Sequence, residues 1–121
     1  MSNKLLFIYN ANSSLLNQVG DLIHKSIYPK TYQCNLCGLT YSGVRMKTGW
    51  KDFISSLPIK SIFLHKNELP AQYPFLKNKA LPAVFINRDG KFEELISSNE
   101  INNLKSLESL EKLVLNKIEH E

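Results

Sequence analysis

Little in this chain stands out by abundance. Its 121 residues include two cysteines, five glycines, five prolines and a single tryptophan. Two cysteines cannot build the disulfide framework of a small secreted scaffold, and a chain of this length buries a core without one. Long apolar runs are missing too. The run near the N-terminus, residues 5–9, is too short for the core of a signal peptide and far too short to span a bilayer. These absences argue for a cytoplasmic setting without a membrane. Basic clusters are also lacking: the formal net charge of +4 comes mostly from scattered lysines, no basic run exceeds two residues, and no aromatic ladder accompanies one. Nucleic acid is therefore not expected as a partner. Asn12-Ser13-Ser14 matches a glycosylation sequon, which means little without a secretory signal. With no repeat, low-complexity tract or long linker, residues 1–121 read as a single domain.

What is present is an ordered series of short apolar segments. Residues 4–9 (KLLFIY) are rich in β formers and read as a strand buried on both faces. Leu15, Leu16, Val19, Leu22, Ile23 and Ile27 recur at helical spacing up to about Tyr28, and Pro29 ends that helix. Gly20 lies inside it at a cost of about 1 kcal/mol against alanine. Residues 29–47 break the pattern and read as an irregular excursion. A second helix begins near Thr48, with Trp50, Phe53, Ile54 and Leu57 on one stripe and Pro58 closing it. Residues 61–65 (SIFLH) form a second apolar strand. Residues 66–79 are polar, with Tyr73, Phe75 and Leu76 as anchors of a short helix and loop. Residues 81–86 (LPAVFI) are a third strand, Asn87-Arg88-Asp89-Gly90 a hairpin turn, and residues 91–96 (KFEELI) an alternating fourth strand. Ser97-x-x-Glu100 is a capping box before one last helix of about five turns, striped by Ile101, Leu104, Leu107, Val114 and Ile118. A β-α-β start followed by a β-β-α finish requires a mixed four-stranded sheet, and the right-handed crossover rule puts helices on both of its faces.

This order resembles the thioredoxin-like fold. The residues that carry the resemblance are 5–10 as the first core strand and Leu81-Pro82-Ala83-Val84-Phe85-Ile86, followed by Arg88-Asp89-Gly90. The resemblance implies an α/β (α+β) domain, a cis peptide before Pro82, and a crevice for extended polypeptide or thiol substrates. Asn10, His65 and Pro82 would border that crevice, with Trp50, Tyr32 and Tyr41 as further lining. The chain departs from the family in one respect. Where the family carries C-x-x-C, directly after the first strand, this chain has Asn10-Ala11-Asn12-Ser13. Its own pair, Cys34 and Cys37, comes about twenty residues later in the insert. The stretch Tyr32-Gln33-Cys34-Asn35-Leu36-Cys37-Gly38-Leu39-Thr40-Tyr41 is similar to one found in a bacterial family of small thioredoxin-like proteins with a displaced C-x-x-C, to which no activity is attached.

Three readings of the cysteine pair stand side by side. Two intervening residues permit a disulfide, with one thiolate attacking a substrate disulfide and the other resolving the mixed disulfide. On this reading Cys34 attacks, Cys37 resolves, and the partner is a thiol-containing protein or a small thiol. Against it, no helix is expected to begin behind Cys34 and lower its pKa. Alternatively the pair is half of a metal site, with zinc the natural ion for such ligands. His24, off the apolar arc of the first helix, would then join Cys34 and Cys37; His65 or a second chain would supply the rest. His120 lies in a C-terminal tail and is set aside. In the third reading both cysteines are small buried hydrophobes. Gly38 follows Cys37, so the haem-attachment pattern is absent. Gly38 and Gly43 have phosphate-loop spacing, but Val44 and Arg45 occupy the positions that need Lys and Ser/Thr, which excludes a GTPase.

Overall fold

A computed structural model describes residues 3–10, 35–42 and 45–119. Its centre is an open, mixed four-stranded sheet of β1 (Lys4–Tyr9), β4 (Lys60–His65), β5 (Ala83–Arg88) and β6 (Lys91–Ile96), in the order β4-β1-β5-β6. β1 runs parallel to β4 and antiparallel to β5, and β5 is antiparallel to β6. Two short strands, β2 (Tyr41–Ser42) and β3 (Arg45–Met46), make a separate antiparallel pair. The helices are α1 (Asn35–Thr40), α2 (Thr48–Ser56), α3 (Leu69–Gln72), α4 (Ser98–Asn102) and α5 (Leu107–Glu119). The domain is thus α+β. The helix expected over residues 13–28 lies outside the described residues.

β1 is the centre of the core. Its residues from Leu5 through Tyr9 are all buried, because helices and loops cover both sheet faces. Alternation divides them. Leu5, Phe7 and Tyr9 join Leu36, Cys37, Trp50, Ile101, Leu110 and Val114 on one face. Leu6 and Ile8 join Leu64, Leu69, Leu76, Ala83 and Phe85 on the other. Each such side chain contributes about 1.5–3 kcal/mol relative to exposure. Trp50 is in the core, edge-on to Phe7 with ring centroids 5.5 Å apart and stacked on Phe53 at 5.5 Å. α2 stops at Ser56 because Leu57, restricted by the following Pro58, is extended (φ −71, ψ 144).

Several expectations are corrected. The excursion is not irregular throughout: residues 35–40 are helical and residues 41–46 contain the β2–β3 pair. β5 begins at Ala83 and continues through Arg88, so the hairpin turn is only Asp89-Gly90, both with positive φ (53 and 90). A two-residue turn of that hand matches the twist of the flanking strands. β6 does not alternate cleanly, because a register shift opposite Val84 and Phe85 lets both Leu95 and Ile96 face the core. Between β4 and β5, Leu69 rather than Phe75 is the second anchor: Leu69 is 1% exposed and Phe75 57%.

The single last helix is two. Its capping box is present, with the Glu100 N–H donating to Ser97 Oγ at 3.1 Å and the Ser97 N–H to Glu100 Oε1 at 2.9 Å. α4 then ends at Asn102, where two asparagines disfavour helix. Ser106 starts α5 afresh by accepting the Ser109 N–H at 3.1 Å.

Candidate functional site

The register brings one end of three strands together. Tyr9 lies beside His65, and Ile8 beside Ala83. Asn10 follows β1, His65 closes β4, and Pro82 precedes β5, so these residues share one end of the sheet. The Leu81–Pro82 peptide is cis, and Pro82 is buried. The Leu81 carbonyl accepts a hydrogen bond from Ser98 Oγ at 3.3 Å, tying this turn to the start of α4. The His65 N–H donates to Glu68 Oε1 at 2.7 Å, and His65 Nδ1 lies 3.1 Å from the same oxygen. Its ring is 5.6 Å from that of Tyr9.

α1 reaches this end of the sheet through its last residues. The Tyr9 hydroxyl is 3.2 Å from Thr40 Oγ1, and Thr40 Oγ1 donates to the Leu36 carbonyl at 2.8 Å. Since Thr40 uses its proton on that carbonyl, the Tyr9 hydroxyl is the donor in the contact between them. Tyr41 meets Tyr9 edge-on at 5.5 Å, and burial raises its phenol pKa. The Lys47 N–H donates to the Thr40 carbonyl at 2.8 Å, closing the β2–β3 pair under the helix.

The other end of α1 is fastened elsewhere. Asn35 Nδ2 donates to the carbonyls of Ile101 at 2.7 Å and Leu104 at 3.0 Å, in the break between α4 and α5. Leu36 is fully buried and Cys37 is 1% exposed. Cys37 is disulfide-bonded. The chain's one other cysteine, Cys34, lies outside the described residues, as does His24.

Residues 35–40 are thus helical, where an irregular stretch was expected. Short α1 contains Gly38 and Thr40, both poor helix formers, so propensity hid it. The usable signal was the spacing of Leu36, Leu39 and Thr40, one buried stripe on one turn. Asn35 was missed altogether, because its partners are 66 and 69 residues away in sequence.

As a disulfide sulfur, Cys37 offers no thiolate to a metal ion. Among the described residues no three His, Cys, Asp or Glu side chains gather where they could share one. No helix among the described residues is long and apolar enough to cross a membrane.

The fold and site define a small α+β domain with a mixed open sheet and a buried, disulfide-bonded cysteine on a helix packed against its end. Comparison with protein-family models, curated proteins and solved structures finds no match for the chain.

Proposed function

We propose that the chain is a thioredoxin-like protein that exchanges thiols and disulfides, or senses redox state, through Cys34 and Cys37. The observation that carries this reading is the disulfide-bonded state of Cys37 in a chain whose only other cysteine is Cys34. The strand order β4-β1-β5-β6, with one parallel and two antiparallel pairings, and the cis peptide before Pro82 support the family resemblance.

In the reducing direction the Cys34 thiolate attacks one sulfur of a substrate disulfide and expels the other as a thiolate, leaving a mixed disulfide. The Cys37 thiol loses its proton and attacks Cys34 Sγ, which releases the second substrate thiolate. Two electrons pass to the substrate, and the protein retains the Cys34–Cys37 disulfide. Cys37, at 1% exposure, suits the resolving role, which needs no access for a foreign disulfide. The sheet end bounded by Asn10, His65 and Pro82 is the docking place for an extended polypeptide or a small thiol.

The test is thiol counting by mass spectrometry after alkylation, on protein purified without reductant and again after reduction, with elemental analysis of the same sample. Exchange predicts no label before reduction, two labels after it, and loss of both labels again on exposure to oxidised glutathione. Two permanently free thiols would sink the reading, and stoichiometric zinc lost in Cys34→Ser would replace it with the metal one.

A further inference from the structure

We infer that Asn35 is the positioning residue of the cysteine pair, and that through it the redox state of the pair is coupled to the break between α4 and α5; this rests on the exchange reading above. The geometry is one-sided. Both partners of Asn35 Nδ2 are backbone carbonyls, at 2.7 and 3.0 Å. Carbonyls only accept, so both amide protons of the side chain are committed and the amide cannot be reversed. The acceptors lie where α4 gives out. The Leu104 carbonyl is past its end, and the Ile101 carbonyl, which also accepts the Leu104 N–H at 3.0 Å, belongs to the terminating turn. Carbonyls at a helix end have lone pairs open to outside donors, and Asn35 Nδ2 donates to both.

Asn35 also stands between the two cysteines. From it onward three successive residues are held: Asn35 by two hydrogen bonds, Leu36 by full burial, Cys37 by burial at 1% exposure. A pair of thiols closes into a disulfide more readily when the backbone between them is already fixed, because less chain freedom is lost on closure. Asn35 therefore favours the disulfide over the dithiol. Linkage makes the effect reciprocal: whatever favours the disulfide through the clamp must see its own clamp favoured by the disulfide. Reduction loosens the Asn35 bonds and, with them, the last turn of α4.

The reaction to be measured is balanced: protein dithiol and oxidised glutathione yield protein disulfide and two reduced glutathiones. In a series of glutathione buffers, Asn35→Ala is expected to lower the disulfide-to-dithiol ratio about threefold to tenfold, the scale of one net hydrogen bond. Asn35→Asp, the same shape without a proton to donate, should lower it at least as far. Ser106→Ala removes the cap of α5 without touching Asn35 and should leave the ratio unchanged. In the wild-type protein, reduction should speed amide exchange in 101–104 more than in the β1–β4 pair. An Asn35→Ala ratio equal to wild type, a Ser106→Ala shift of the same size, or exchange in 101–104 indifferent to reduction each overturns the inference and leaves the exchange reading standing. A wild-type protein that forms no disulfide in any of these buffers removes both.

Discussion

Replacing Leu36 by alanine tests whether α1 is part of the core or merely lies on it. Leu36 is fully buried, in one cluster with Leu5, Phe7 and Tyr9 of the central strand and Ile101 of α4. The substitution removes three carbons; at about 0.8 kcal/mol for each buried methylene, the transfer loss is about 2.4 kcal/mol. The space left behind adds to this, at about 24 cal/mol per Å3 that fails to collapse. Collapse is hindered, since the neighbours from β1 are fixed by pairing on both sides. The expected cost is therefore about 3 kcal/mol, in the middle of the range of about 2–5 kcal/mol for buried leucines. For a chain of this length that is a fall in melting temperature of about 12 °C. Thermal and urea unfolding, followed by Trp50 fluorescence and by circular dichroism together, give the number. Trp50 belongs to the same cluster, so both probes should shift in step. A loss below about 1 kcal/mol, or a circular-dichroism transition unmoved while only the fluorescence changes, would refute the claim that α1 is docked in the common core.

Gly90→Ala isolates a backbone effect. Gly90 has φ 90, and an added Cβ meets nothing within 4 Å, so the whole cost, about 1–2 kcal/mol, comes from the left-handed conformation. Gly90→Asn should lose less by thermal unfolding, and equal losses for the two would contradict the turn assignment. Glu100 gives the chain an acid-sensitive contact. The Ser97 N–H bonded to its carboxylate lowers its pKa, with Lys117 Nζ at 3.1 Å adding to the effect. A carboxyl held below its unfolded value contributes stability above that value and loses it as pH falls through the folded one. The gap in melting temperature between the wild type and Glu100→Gln should accordingly shrink as pH falls below the ordinary glutamate value of about 4.3, and a gap that stays constant on acidification until the protein unfolds would rule the contribution out.

The parts legible in the sequence share one property: a local signal agrees with the tertiary environment. The run 4–9 is apolar because both faces of β1 are covered, the Asp89-Gly90 pair suits a two-residue turn with positive φ at both positions, and Ser97 and Glu100 cap each other within one turn. The parts that were not legible depend on partners far away in the chain. α1 exists because Leu36 and Leu39 are buried and Asn35 and Thr40 are held from both ends, not because its residues favour helix. The break after Asn102 is invisible to a count of apolar spacing, since Ile101, Leu104 and Leu107 continue the stripe across it; the Asn35 amide and the Ser106 cap decide it instead. The candidate site follows the same division. Asn10, His65 and Pro82 meet at one sheet end because strand order and register put them there, whereas the position of Cys37 depends on contacts that no local pattern encodes.

That dependence bears on what the disulfide is for. A bridge from Cys37 to Cys34 closes a loop of four residues, and the chain-entropy relation gives so short a loop about 2 kcal/mol. Burial of Leu36 alone contributes about as much by transfer and more once its cavity is included. A short helix has no stability of its own in water, so α1 is held mainly by the burial of Leu36 and Leu39 and by Thr40, the Asn35 bonds being the part proposed to respond to the state of the sulfurs. A covalent link that adds little to a segment already fastened is poorly suited to be a structural staple. On the proposed exchange reading it is suited to being opened and closed, because the core contacts of α1 do not depend on it. The same fastening sets the asymmetry of the pair. Cys37 is buried in the core on α1, so on the proposed exchange reading an outside disulfide is met first by Cys34.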